Sequence, residues 1–117
     1  MAFNNVTVNG TGLTQTVFEN DINTESVIHS CFFKNDRLNT AVVELLVDGQ
    51  VILALPVDAS KTISFSEKIN VTPNSKVEVN LPFSVRGTFN YFSQTTDAAA
   101  TLSQIHDYVA QAEVYAN

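Results

Sequence analysis

The sequence has no tryptophan, one cysteine, three prolines and four glycines among its 117 residues. Because Cys31 has no second cysteine to pair with, an internal disulfide is excluded and nothing indicates an oxidising compartment. No apolar run approaches the roughly 18 residues that a membrane-spanning helix needs. The first residues also lack the basic and apolar regions of a signal peptide. We therefore expect synthesis and folding in the cytosol and no membrane partner.

Basic residues are also scarce, since six Lys and Arg stand against twelve Asp and Glu and the net charge is -6. They are scattered along the chain, whereas phosphate binding needs a concentrated basic patch. We therefore expect no nucleic-acid partner. The acidity is most simply explained by solubility, and the alternative is that it steers the chain towards a basic partner.

Period-two alternation of apolar and polar residues runs through most of the chain and predicts β-strands. The strongest local signal is Asp48-Gly49 between two β-rich runs, because a type I′ turn needs positive φ at both central residues. This signal predicts a hairpin over residues 40–57. Seven or eight short strands at such spacing predict a mainly β protein, an antiparallel sandwich of jelly-roll or Ig-like type over residues 1–94.

The period changes at Thr96, and Asp97 is a suitable N-cap for a helix. Apolar residues then recur at three- and four-residue spacing, which predicts a C-terminal amphipathic helix over residues 95–117. The apolar stripe of this predicted helix consists of Leu102, Ile105, Val109, Ala112 and Ala116.

The predicted hairpin is apolar on both of its faces. Leu45, Val51 and Leu53 are predicted to share one face with further aliphatic residues. A sandwich strand is expected to be polar on its outer face, so the second face should be covered by the terminal helix or by a neighbouring subunit. The apolar residues predicted on that second face are Val42, Leu46, Ile52 and Ala54. The predicted protein interface combines positions from the hairpin and the helix, namely Val42, Leu46, Ile52, Leu102, Ile105, Val109 and Ala112.

Few residues suggest catalysis or metal binding. His29 and Cys31 lie two positions apart and are predicted on one face of a strand, where they could ligate a metal or form a reactive thiolate pair. Two ligands are too few for a metal site, and a buried thiol beside a hydrogen-bonded histidine is the simpler interpretation. We expect no enzyme activity, no catalytic residue, no metal and no cofactor.

The order of several short segments resembles a family of small bacteriophage virion proteins over residues 13–93. The segments that carry the resemblance are Thr16-Val17-Phe18, Ser26-Val27-Ile28, Phe33 with the polar turn after it, Val43 to Gly49, Pro56-Val57 and Val71-Thr72-Pro73-Asn74-Ser75. The resemblance implies a β-sandwich that serves as a capsid decoration (cement), neck or tail-associated subunit. The predicted terminal helix departs from this pattern.

The resemblance also implies a location and partners. We expect a homo-oligomer in the virion that binds other virion proteins, either the major capsid protein or neck and tail proteins. The alternative is a carbohydrate- or receptor-binding sandwich of a phage fibre or tail. That alternative requires an exposed aromatic platform made of Phe18, Phe32, Tyr91 and Phe92.

Overall fold

The computed structural model describes residues 2–95, and every regular element within this range is a β-strand. The strands are β1 (Ala2–Asn9), β2 (Thr14–Glu19), β3 (Thr24–Asn35), β4 (Ala41–Val47), β5 (Gln50–Val57), β6 (Thr62–Phe65), β7 (Ile69–Val71), β8 (Lys76–Asn80) and β9 (Val85–Thr95). No helix capable of crossing a membrane occurs between residues 2 and 95. The predicted helix lies outside the described residues, except that Thr95, which it included, ends β9.

The strands form two antiparallel sheets, which confirms the predicted two-sheet sandwich. Sheet A has the order β1-β9-β3-β6, with β7 also paired to β3, and sheet B has the order β2-β8-β4-β5. Since β6 and β7 pair with different parts of β3, they act as one interrupted strand. The pairing is then nested: β1 with β9, β2 with β8, β3 with β6 and β7, and β4 with β5. Residues 2–95 thus form one long hairpin, with β4–β5 at its tip, folded over into two sheets.

The core lies between the sheets and is built from the inward positions of both. Phe33 and Phe89 of sheet A meet edge to face, with ring centroids 5.7 Å apart. Large side chains with almost no exposure come from both sheets: Phe33, Phe89, Ile28, Leu45, Leu81, Val43, Val57, Val71, Val77, Val79 and Val85. Each such side chain contributes about 1.5–3 kcal/mol on burial, so this layer is the main source of stability.

The predicted hairpin is present, with Asp48 at φ 52° and Gly49 at φ 81° as a type I′ turn requires. Its tip is attached to β8 by two hydrogen bonds. The backbone N–H of Asp48 donates to the carbonyl of Lys76 at 2.9 Å, and the N–H of Lys76 donates to the Asp48 carboxylate at 2.9 Å. The hairpin is therefore held rigidly against the rest of sheet B.

A β-bulge interrupts β3 at His29. Ile28 and Ser30 pair with consecutive residues of β9, so His29 is an extra residue in the register. Because a bulge shifts the side-chain alternation by one position, Ile28 and Cys31 both point inward and are fully buried. The prediction that His29 and Cys31 share a face is therefore wrong.

A second bulge lies in the hairpin. Leu45 pairs with Leu53, but Leu46 pairs with Val51, so Ile52 is the extra residue. Val51 consequently lies opposite Leu46 and is 49% exposed. The prediction that Val51 shares the inner face with Leu45 and Leu53 is wrong for the same reason as in β3.

A fully buried asparagine, Asn35, connects the loop between β3 and β4 to the sheets. Its side-chain amide donates to the carbonyls of Asn39 and Val57, both at 2.9 Å. Its side-chain oxygen accepts from the N–H of Arg37 at 2.9 Å. These bonds attach the loop between β3 and β4 to the end of β5, and so fix where the hairpin leaves the sandwich.

Candidate functional site

An apolar surface covers the outer side of the β4–β5 hairpin. The outward cross-strand pairs include Val42 with Pro56 and Leu46 with Val51. Val42 is 53% exposed, and the bulged Ile52 is 46% exposed. We call this surface the hairpin patch, defined by Val42, Leu46, Val51, Ile52, Ala54 and Pro56.

The sequence leaves this patch almost without charge. Strand β5 carries no charged residue, and the one charged residue of β4 is Glu44, which lies opposite Ala54 on the same outer face. The outer side of the same sheet is polar further on, since Leu46 lies beside Glu78 of β8, which in turn lies beside Thr16 of β2. The outer face of sheet B therefore changes from polar at the β2 edge to apolar at the β5 edge.

The hairpin patch also lies on an edge strand, because among the described residues β5 pairs with β4 alone. Edge strands are usually protected by charges, bulges or proline. Here Pro56 and the bulge at Ile52 interrupt the hydrogen-bonding edge, and no charge does so. The apolar side chains, more than the backbone edge, are thus what this hairpin presents to a partner.

Three of the predicted interface residues, Val42, Leu46 and Ile52, are brought together in this patch. Sequence reasoning missed Val51, because the bulge that moves it outward is not visible in simple alternation. The one signal in the sequence is that every position from Val51 to Leu55 is apolar, whereas a strand with one buried face should alternate apolar and polar residues. The remaining predicted positions lie outside the described residues: Leu102, Ile105, Val109 and Ala112.

The structure separates the two residues considered for metal or thiolate chemistry. Cys31 is fully buried in sheet A, and burial raises the pKa of its thiol to about 12. The thiol is therefore protonated at neutral pH and is neither a nucleophile nor a metal ligand. His29 is partly exposed on the outer side, where its ring stacks on Phe92 with centroids 6.3 Å apart. Among residues 2–95, no group of three or more His, Cys, Asp or Glu could hold a metal ion.

Cys31→Ser is expected to lower the free energy of unfolding by about 1–3 kcal/mol, because a hydroxyl would replace the thiol in an apolar site without a prepared partner. Urea denaturation followed by circular dichroism measures this. Binding to a partner should be unchanged once the variant is folded. Stoichiometric zinc binding by the purified protein would contradict this assignment of Cys31 to the core.

The four aromatic residues of the alternative prediction do not form one platform. Phe18 and Tyr91 stack on each other between the sheets at a centroid distance of 3.9 Å and are both buried. Phe32 and Phe92 instead lie on the outer side of sheet A, where Phe3 of β1 joins them. Sequence reasoning missed Phe3, whose position opposite Phe92 depends on the pairing of the first and last strands.

Comparison with known proteins adds little to these observations. No family model matches the chain, and no curated protein matches it. Among solved structures, a chain of infectious bursal disease virus, Gt strain, is similar with 15% identity and a TM-score of 0.37, covering 80% of this chain and 31% of that chain. For the Gx strain the identity is 14% and the TM-score 0.34, with 76% and 29% covered. For the T13 particle of the same virus the identity is 12% and the TM-score 0.27, and the match covers 86% of this chain and 41% of that chain.

This chain thus spans 31%, 29% and 41% of the length of those three chains. All three TM-scores are below 0.5, and at that level the likeness carries no conclusion about function. The function of the chain must therefore be inferred from its own surface.

Proposed function

We propose that this protein is a non-enzymatic virion structural subunit, a capsid decoration or cement protein that binds other virion proteins through the hairpin patch. The observation that carries the proposal is the half-exposed, nearly uncharged outer side of β4–β5. Large exposed apolar patches on a folded domain are typical of protein-interaction sites.

The nested pairing of the strands supports a jelly-roll sandwich over an Ig-like one. In a jelly roll, one long hairpin wraps into two sheets, so that the first strand pairs with the last and the pairing continues inwards to a hairpin at the tip. Viral capsid domains use this architecture, and so do lectin domains and cupins. The fold is therefore compatible with the proposed role, but the role itself depends on the patch.

The energy available from covering the patch supports a specific contact. Complete burial of a Val or Ile side chain contributes about 1.5–3 kcal/mol, and Val42, Val51 and Ile52 still expose about half of their surface. A partner that covers all three gains about 1 kcal/mol from each. The proposed partner surface is itself apolar, on the major capsid protein or on a neck or tail protein, with a second copy of this chain completing a homo-oligomer.

The double variant Val42→Lys/Ile52→Lys tests this proposal. Because a charge buried without a partner opposes association, the Kd for virion particles that lack the protein should rise about 100-fold, which corresponds to about 2.7 kcal/mol. Both positions are half-exposed, so the free energy of unfolding should change by less than about 1 kcal/mol. Co-sedimentation with purified particles gives the Kd, and urea denaturation gives the stability.

Thr14→Lys/Thr16→Lys is the matched control, since both threonines lie on β2, at the polar edge of the same sheet. This control adds the same charge and should bind like the wild type. Light scattering after size-exclusion chromatography tests the homo-oligomer, which should dissociate into folded monomers in the Val42→Lys/Ile52→Lys variant. A wild-type protein that is monomeric at high concentration and binds no virion component would overturn the proposal.

A further inference from the structure

The outer side of sheet A presents a second surface, distinct from the hairpin patch. Strands β1, β9 and β3 place their outward residues in three rows that run across the sheet. In order along β1, the rows are Phe3, Phe92 and Val27; Asn5, Asn90 and Ser30; and Thr7, Thr88 and Phe32. We call these nine residues the sheet A platform.

Aromatic rings stand at two ends of the platform. Phe3 is 77% exposed and packs at a tilt against Phe92 with centroids 5.9 Å apart. His29, extruded by the bulge in β3, stacks on the other side of Phe92. Phe32 is 43% exposed two rows away, which is about 13 Å along the strands at the usual rise per residue.

Polar groups are aligned between these rings. The side-chain amide of Asn5 donates to the side-chain oxygen of Asn90, and the amide of Asn90 donates to the hydroxyl of Ser30 at 3.0 Å. The hydroxyls of Thr7 and Thr88 lie 3.4 Å apart in the next row. We call this chain of hydrogen bonds from Asn5 to Ser30 the relay. At one end the side-chain oxygen of Asn5 can accept a further hydrogen bond, and at the other end the hydroxyl of Ser30 can donate one.

We propose that the sheet A platform binds a neutral oligosaccharide. A sugar ring has an apolar C–H face that packs on an aromatic ring, and a rim of hydroxyls that both donate and accept hydrogen bonds. The platform offers both features in register: aromatic rings at its ends, and amides and hydroxyls already oriented between them.

The charge pattern selects a neutral ligand over an anionic one. None of the nine platform residues is Lys, Arg, Asp or Glu, and Arg86 with Lys34 form a separate row beyond Thr88. A cationic group inside a site favours an anionic glycan, and none of the nine platform residues supplies one. Cross-strand Asn and Thr pairs also stabilise a sheet, so the test must separate binding from stability.

The test is a glycan array of neutral hexose, N-acetylhexosamine, deoxyhexose and pentose oligosaccharides, followed by isothermal titration with the glycan retained most strongly. Phe3→Ala should raise the Kd about 3- to 10-fold, as expected for the loss of one exposed aromatic contact. Asn5→Ala should raise the Kd as well, because it removes the acceptor end of the relay. Phe3 is largely exposed, so its removal should not unfold the protein.

Phe83→Ala is the matched control, because Phe83 is 68% exposed but lies between β8 and β9, away from the platform. This variant and Val42→Lys/Ile52→Lys should bind the glycan with the wild-type Kd. The two surfaces are thus tested independently, and a failure to bind glycan would not count against the proposed role of the hairpin patch. The proposal is overturned if no neutral glycan binds at millimolar concentration or if only anionic glycans bind. It is also overturned if the platform binds a protein and no glycan, or if Phe3→Ala and Phe83→Ala have the same effect on the Kd.

Discussion

Asn35→Ala is expected to lower the free energy of unfolding by about 3–5 kcal/mol, the larger end of what a single substitution does. The side chain donates to the carbonyls of Asn39 and Val57 and accepts from the N–H of Arg37; the bond to Val57 is buried and the other two are partly buried. Alanine would leave all three groups without their partner; the buried carbonyl of Val57 costs about 1–3 kcal/mol when unsatisfied, and the two partly buried groups add a smaller cost each. Because one of these bonds holds the end of β5, the hairpin patch should also be displaced.

Urea denaturation of the variant and of the wild type measures this effect. Asn70→Ala is the control, since Asn70 is an exposed asparagine on β7 of the same sheet. That variant should lose less than about 0.5 kcal/mol. A loss below about 1 kcal/mol for Asn35→Ala would show that the loop between β3 and β4 does not depend on this side chain.

Gly10→Ala is expected to be similarly severe, with a loss of about 3–4 kcal/mol, through a purely steric mechanism. Gly10 follows β1, and its N–H donates to the carbonyl of Val85 at 2.7 Å. A Cβ at this position would lie 1.9 Å from the carbonyl oxygen of Pro82 and 2.8 Å from that of Val85. Both are backbone atoms and cannot rotate away, so the end of β1 would have to separate from the turn between β8 and β9.

Gly49→Ala separates this steric effect from the general cost of replacing glycine. Nothing lies within 4 Å of a Cβ at Gly49, but its φ of +81° is unfavourable for alanine. The expected loss is therefore about 1–2 kcal/mol, from backbone conformation alone. Equal losses for the two variants, measured by thermal or urea unfolding, would contradict the close approach at Gly10.

The local elements of this fold were predictable because their signals are local. Asp48-Gly49 predicts its hairpin, and the period-two alternation predicts strands; the structure confirms both. The choice between sandwich topologies was not predictable. It depends on the pairing of β1 with β9 and of β2 with β8, which join distant parts of the chain.

The two bulges explain most of the errors on side-chain direction. One extra residue reverses the side-chain direction at every position on one side of it, so simple alternation places His29 on the side of Cys31 and Val51 on the side of Leu53. The core of the candidate site was still predictable, because Val42, Leu46 and Ile52 belong to runs that are apolar on both faces. The place of Phe3 in the sheet A platform was not predictable, because its aromatic neighbour Phe92 lies on β9, far from Phe3 in the sequence.

The most direct test of the hairpin patch as the docking surface is photo-cross-linking in assembled particles. A photoreactive amino acid is placed at Ile52 and, in a separate control protein, at Thr14 on the polar edge of the same sheet. Mass spectrometry of particles that have incorporated each protein then identifies the cross-linked neighbour. Docking through the hairpin patch predicts cross-links from position 52 to one virion protein or to a second copy of this chain, and few from position 14. Cross-links of equal yield from both positions, or particles that never incorporate the wild-type protein, would contradict it.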